Sequence, residues 1–380
     1  MRIGAAALCA ATLLGMPAIA PAVTIDTDGR LVIAADDGTF AARISGRVHA
    51  DANFYGSDVV DHESGAFIRR ARIGVSGYVR NWDYAITFDN ATESADLKDA
   101  YLARELGPGR LVIGQFKQFQ GFEELTSSNE ITFIERSHVS NAMTARAIGV
   151  GYHGMLGRIG YAVSGYNLRE ASDGGTRATD DGIGFVGRLH TAPIMRDGRA
   201  LHLGVSYAHE RSSDTGAGIR LRPAGRSDEG RFTLFDIPGE RADVGRLNLE
   251  VAGIVGPFAA QAEWLTGSAD GDNAPSDDFS AAYAQVSYAL GGGTPRRYDP
   301  LAGRMRNPRS GSGLGAFELA LRWQHAERDD VPGAELQTVD AGVNYYVNDN
   351  VRFMLNYTAA DNDSNGDAPD LVSLRAQLSF

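Results

Sequence analysis

Over residues 40–54, Phe40, Ala42, Ile44, Gly46, Val48, Ala50, Ala52 and Phe54 fill the even positions, and Arg43, Ser45, Arg47, His49, Asp51 and Asn53 stand between them. In an extended chain successive side chains point to opposite faces, so this period of two predicts a strand with one apolar and one polar face. At about 15 residues it exceeds the roughly 5 to 6 of an ordinary globular strand and suits a tilted strand that crosses a bilayer and projects beyond it. The pattern returns in Ile73, Val75, Gly77 and Val79 against Arg70, Arg72 and Ser76, then in Trp82, Tyr84, Ile86 and Phe88 against Asp83, Thr87 and Asp89, with Arg80-Asn81 as a tight turn. Segments 201–207, 247–251, 258–264, 284–290, 317–323, 339–347 and 351–357 each add one apolar face. At the C-terminus Val372, Leu374, Ala376, Leu378 and Phe380 share one face, and Ser373, Arg375, Gln377 and Ser379 the other.

Such strands bury one face in lipid and turn the other to water, which predicts an all-β, antiparallel transmembrane β-barrel. Roughly 14 to 18 strand-like segments are present, and no linker, repeat or composition break separates them, so residues 23–380 are expected to form one barrel domain. Short turns such as Gly107-Pro-Gly109, Gly154-Met-Leu-Gly157 and Asn348-Asp-Asn350 alternate with longer Asp, Gly and Pro-rich stretches. They are expected at one rim, with long loops at the other.

The 43% hydrophobic content and mean hydropathy of -0.22 fit this architecture, because a barrel needs apolar residues only at every second position. The 46 glycines, 14 tyrosines and 16 phenylalanines supply tight turns and interfacial aromatics. A secreted β-sandwich has a similar composition, but it does not call for Trp and Tyr near strand ends. Met1-Arg2, the apolar stretch 3–16 and Ala20-Pro21-Ala22 read as a cleaved secretory signal peptide, residues 1–22, with the mature chain starting at Val23. The apolar stretch is shorter than the roughly 20 residues a spanning helix needs. Cys9 lies inside this segment, which leaves no thiol chemistry or disulfide to the mature chain.

The net charge of -12 argues against a nucleic-acid partner. Acidic residues gather in turn-like runs, 270–278 and 361–367, expected as solvated loops or, less simply, as sites of divalent-ion bridging between surface lipids; arginines recur inside the alternating segments. No Gly-x-Ser-x-Gly elbow and no His-x-x-x-His pair is present to suggest an outer-membrane hydrolase, and no cofactor or metal site is implied.

Residues 66–154 carry more than strand patterning. Phe67-Ile-Arg69-Arg70-Ala-Arg72-Ile-Gly, Trp82-Asp-Tyr-Ala-Ile-Thr-Phe, Asp99-Ala-Tyr-Leu and Ile113-Gly-Gln-Phe-Lys117 are followed by Gly121-Phe-Glu-Glu-Leu-Thr-Ser-Ser128, Thr132-Phe-Ile-Glu-Arg136 and Gly149-Val-Gly-Tyr-His-Gly154. In order and spacing this resembles the phosphate-selective porin O and P family. The run from Gly121 is the most specific, since neither strand patterning nor turn chemistry requires it. The resemblance implies a homotrimer of about sixteen-stranded barrels in the bacterial outer membrane, each with its own pore for small anionic solutes, narrowed by an inward-folded loop at about 118–144. Phe119, Phe122, Leu125, Ile131, Phe133 and Ile134 in that stretch suit a loop packed against the wall.

A dehydrated anion in a narrow pore needs fixed positive charge and donors, which arginine supplies without titrating near neutrality. By parity Arg70 and Arg72 face the lumen, Arg69 lies near the rim, and Arg43, Arg47 and Arg246 are further lumen candidates. The resemblance gives Lys117, one of two lysines, a place at the narrowest zone; Asp89 faces inward and would moderate the attraction. Arg220, Arg222, Arg226 and Arg231 offer further steps of a basic path. Within the constriction segment stand Phe122, Glu123, Glu124, Glu130 and Glu135, with Ser127, Ser128 and Arg136 expected to pair with the carboxylates. Those four acids, on an acidic chain, weigh against phosphate selectivity and keep a general or cation-tolerant channel open, and a non-conducting barrel remains as a further alternative.

Overall fold

A computed structural model describes residues 22–25, 31–35, 37–56, 58–91, 95–168, 182–213, 216–291, 294–310 and 315–380; apart from Ala22, the expected signal peptide lies outside them. The alternating segments form sixteen antiparallel wall strands closed into a barrel. They are β1 (Phe40–Gly56), β2 (Gly65–Val79), β3 (Trp82–Asp89), β4 (Asp96–Leu106), β5 (Gly109–Lys117) and β6 (Arg146–Leu156). Next come β7 (Ile159–Asn167), β8 (Ile183–Arg196), β9 (Arg199–Arg211), β10 (Ala242–Val255) and β11 (Phe258–Gly271). The circuit ends with β12 (Asp277–Gly291), β13 (Ala316–Arg328), β14 (Glu335–Tyr346), β15 (Val351–Asn362) and β16 (Asp370–Ser379).

Each strand pairs with the next, and β16 returns to β1 in a register running from Asp370↔Gly56 to Ser379↔Arg47. Closure leaves no unpaired ladder in the wall, which hydrocarbon would penalise at every orphan N–H and C=O. Phe380 completes the seam: its backbone exchanges hydrogen bonds of 2.9 and 3.0 Å with Gly46, and its ring lies over that glycine, where a Cβ would collide with it. Below this point Leu31–Ala34, itself paired with Ala22–Ile25, takes over the edge of β1.

Outward positions remain exposed and apolar, among them Ile73, Val163, Phe185, Leu203, Val251, Trp264, Leu321 and Leu355. No helix among the described residues is long and apolar enough to cross a membrane, so any crossing falls to the strands. Short turns gather at the rim that holds the C-terminus. Arg80 takes φ 56° in one of them, and the turn expected at 154–157 is made by Gly157-Arg158 instead, because β6 runs on to Leu156.

The short-turn rim breaks the expected layout at one place. The β12–β13 connection is long, and its described part, 294–310, contains a ribbon of Arg297–Asp299 paired with Arg304–Arg306. At the opposite rim the β9–β10 connection carries a hairpin, Gly216–Leu221 with Phe232–Pro238. Its Ile219, Leu221, Phe232, Leu234, Phe235 and Ile237 are buried against inward-facing Val244, Leu265, Phe279 and Leu336. The main apolar core thus lies within the cylinder. The hairpin tip reaches the far wall: the Tyr55 hydroxyl donates to the Ala224 carbonyl (3.2 Å), His62 bridges Ser227 and Asp367 (2.8 Å each), and Asn362 donates to the Gly230 carbonyl (2.9 Å).

Candidate pore and its cationic chamber

Between β5 and β6 the chain leaves the wall and folds inward over residues 118–145. Gly121, at φ 74°, turns it into a short helix, Phe122–Leu125, whose first N–H groups have no helical partner. The Glu263 carboxylate accepts those of Phe122 and Glu123 at 2.7 and 2.8 Å, and is held by Asn248 and the Tyr283 hydroxyl. Further along, Arg352 donates to the carbonyls of Ile131 and Thr132, and Arg375, paired through two 2.7 Å bonds to Asp51, donates to that of Ile134. Phe133 lies under the Arg322 guanidinium, 4.4 Å from ring centroid to charge. A second short helix, His138–Asn141, is capped by Ser137 and tied to Gln324 and Thr338.

All these anchors come from one side of the barrel. Arg246, Arg352 and Arg375, on β10, β15 and β16, are at most 2% exposed, whereas inward-facing Arg43, Ser45, Arg47, Asp99, Tyr101 and Arg146, on β1, β4 and β6, keep partial exposure. The remaining open space therefore runs mainly beside β1–β6, between that wall and the loop. It widens into a chamber of about 380 Å³ lined by thirteen Lys and Arg side chains and four carboxylates.

Arg47 reaches across to Ser128 Oγ at 2.8 Å and Ser127 Oγ at 3.4 Å, so its opposite group is a pair of neutral hydroxyls. Arg70 is buried, and its Nε and Nη1 make no hydrogen bond. Arg72 is held by Asp89 at 2.6 Å, Lys117 by Glu124 at 2.9 Å and Arg146 by Asp99 at 2.9 Å. Arg69 forks onto Glu135 through bonds of 2.7 and 3.1 Å. From the mouth, the hairpin contributes Arg220, Arg222 and Arg226 to the lining, while Arg222 and Arg231 share Asp228.

Arg69, expected near the rim, stands where the alternation of β2 breaks. His49 pairs with Arg70 and Ala50 with Ile68, so Arg69 is the extra residue of a β-bulge. The bulge resets the alternation, and Arg69 and Arg70 both line the chamber. Arg246 needs a second correction. It faces inward, but the end of the loop covers it completely: it donates to the Ala142 carbonyl at 2.9 Å and to Thr144 at 3.1 Å, and pairs with Glu210. It fastens the loop and lines no part of the chamber. Arg43 shares the inward face with Arg47, nearer the short-turn rim and outside the chamber lining.

The four loop carboxylates do not oppose the cations as free charges. Glu123 accepts the Ser137 N–H at 2.7 Å and faces Arg322 at 3.7 Å; Glu130 pairs with Arg306 at 3.3 Å. Burial raises the Glu124 pKa, but Arg136 and Lys117 outweigh it and hold the group at about 2; Arg69 likewise keeps Glu135 well below the usual range despite burial. Arg136 does tie the loop, donating to the carbonyls of Glu123 and Thr126, whereas Ser127 and Ser128 serve Arg47 rather than a carboxylate. Phe122 is buried against Met305, Ala252, Ile254 and Ala259. Sequence reasoning missed Asp99, Arg146, Arg304 and Arg322 in and around the chamber, and Glu210 and Glu263 as anchors. Arg146 was within reach, as the first strand residue after the loop; Arg304 has no local signal.

The sequence model of the phosphate-selective porin O and P family matches residues 43–380. Porin O of Pseudomonas aeruginosa is 28% identical over 91% of this chain and 89% of its own length. Among solved structures, an anion-selective porin from Comamonas acidovorans superposes with a TM-score of 0.59 at 10% identity, over 90% of this chain and 100% of that one. The trimer form of OmpT, an outer membrane protein of Vibrio cholerae, gives 0.59 at 14% identity over the same shares. These two likenesses speak to the barrel alone; with the match along most of the sequence, the chain belongs to the phosphate-selective porin O and P family.

Proposed function

We propose that this barrel is a passive diffusion channel of the bacterial outer membrane that prefers small oxyanions, of the phosphate or organic-acid class. The chamber carries the reading: thirteen cations against four carboxylates, inside a chain whose net charge is -12. At an effective dielectric of about 20, a unit-charge pair about 4 Å apart is worth about 4 kcal/mol. Arg47, facing hydroxyls, and Arg70, which lines the chamber with no ion pair among the described residues, have the most left to give a passing anion. Arg72, Lys117 and Arg146 are already matched by carboxylates, which keeps any one site from holding an ion too deeply.

In this reading residues 1–22 direct export and are cleaved, and 23–380 form one barrel domain that assembles as a homotrimer, a trimer form being known for the structurally similar OmpT of Vibrio cholerae. The short-turn rim faces the periplasm and the hairpin-covered rim the exterior. The acidic sum charge favours a second reading, a general or cation-tolerant channel. Reversal potentials across planar bilayers in a KCl gradient separate the two. Anion preference is expected, lowered by Arg70→Ala and by Lys117→Glu, together with block of chloride current by inorganic phosphate. A cation-selective wild type would overturn the proposal.

A further inference from the structure

The tip of the mouth hairpin is seated on the wall opposite its roots. The hairpin leaves from β9 and β10, whereas Ala224 near its tip packs with Ala360 and Leu371, on β15 and β16, and with Tyr55 on β1. A phenol hydroxyl has one proton and two lone pairs, and that of Tyr55 uses all three. It donates to the Ala224 carbonyl at 3.2 Å and accepts the N–H groups of Arg226 and Ser227 at 3.1 Å each. Its ring stacks on His62, 5.2 Å between centroids. Buried His62 stands between the Ser227 hydroxyl and the Asp367 carboxylate, whose other oxygen accepts the Val60 N–H at 3.0 Å.

The sequence of the tip is fitted to this seat. Gly225 and Gly230 take φ 58° and 61°. A Cβ on Gly225 would collide with the Leu371 side chain and the Tyr55 hydroxyl, and one on Gly230 would stand 3.0 Å from an Asp367 oxygen. Backbone conformation and close approach thus both favour glycine at these two positions. Between them lies Arg226, which lines the cationic chamber. The apolar packing of Phe232 and Leu234 against Val244, Leu265 and Phe279 fixes the body of the hairpin and leaves the placement of Arg226 to the tip contacts.

We infer that Tyr55, His62 and Asp367 form a clamp for anion selection: they are positioning residues that hold Arg226 over the entrance of the chamber. The inference rests on the anion-preferring reading above and deepens it. None of the three lines the chamber, so their effect on a passing ion goes through the tip. A hairpin held at its roots alone would carry Arg226 on a loose end, and in open water its attraction is screened over about 8 Å at physiological salt. Held at both ends, the hairpin bridges the mouth, and the charge acts from a fixed place.

The test uses the purified, reconstituted full-length channel, read by reversal potential in a KCl gradient, single-channel conductance and block of chloride current by inorganic phosphate. Tyr55→Phe keeps the ring, removes the hydroxyl and leaves every cation and carboxylate of the chamber in the chain. It should still lower the anion-to-cation permeability ratio and weaken phosphate block, roughly threefold to tenfold, and His62→Ala should do the same. Arg226→Gln alone should lower the ratio by a similar factor. Adding Tyr55→Phe to it should then change the ratio by less than about twofold, because the positioned charge is already gone. A wild type without anion preference would fail the functional reading itself. An anion-selective wild type whose Tyr55→Phe and His62→Ala channels keep its ratio, whatever their conductance, would overturn only the clamp, and so would full additivity with Arg226→Gln. Should His62→Ala not assemble, Tyr55→Phe and its cycle with Arg226→Gln decide the matter.

Discussion

Single residues show how far alternation carries and where it stops. A period of two is enough to turn Arg47, Arg70 and Arg72 inward, since it follows from strand geometry alone. It does not by itself bring Arg69 to the lumen, because one extra residue between Ile68 and Arg70 resets the phase, and nothing in the local sequence announces a bulge. It turns Arg246 inward yet cannot tell that Ala142 and Thr144 will cover it. The acids Glu123, Glu124, Glu130 and Glu135 mislead for the same reason: their partners Arg322, Lys117, Arg306 and Arg69 mostly stand far away in sequence. Glu124 gives a pH prediction. Its pKa falls from 4.5 to about 2 in the folded chain, so its stabilising contribution is complete above about 4.5, declines as pH drops below that and is lost below about 2. Single-channel conductance should therefore stay level from about pH 7 to about pH 5, with larger and noisier openings only at much lower pH. Loosening already near pH 6 would show that this ion pair does not hold the loop.

Among the elements, β1–β3 and β9–β16 were legible because each carries its own periodicity. The inward loop was also legible, through a resemblance and through apolar residues that a solvated loop has no use for. The ribbon and the hairpin were not. What holds the ribbon in place is contributed by Glu318, Arg188 and the Leu125 carbonyl, and no pattern within 294–310 points to them. The hairpin's apolar residues look like one more strand pair until Phe232 and Leu234 are seen fully buried inside the mouth. Removing a buried phenyl ring costs about 3 to 5 kcal/mol. Phe232→Ala should therefore undock the hairpin, and two measurements check it: faster protease cleavage within 212–241 and a rise in open-channel current. A variant that stays as resistant as wild type would mean that the tip contacts at His62 and Asn362 suffice.

For the molecule as a whole, closure at the β16–β1 seam ties the two ends of the barrel together. Deleting Phe380 removes two backbone hydrogen bonds and the ring that covers Gly46. Net bonds of this kind are worth about 0.5 to 1.5 kcal/mol each, so the heat needed to convert the folded band to the unfolded one on a semi-native gel should fall, with less protein reaching the folded form during detergent refolding. Equal heat resistance and yield would remove the last residue from any part in closure.

The lopsided filling of the cylinder has an evolutionary corollary. Strands β8–β16 are packed on both sides, by lipid without and by loop, ribbon and hairpin within, so their inward residues are constrained like the interior of an ordinary enzyme. Strands β1–β6 meet the loop and hairpin only at points such as Arg47–Ser128, Arg69–Glu135 and Tyr55–Ala224, and between these their inner face borders the open space, where a changed side chain disturbs little besides the passing ion. A lineage adapting to a new nutrient would find most of its freedom on that thin arc of wall.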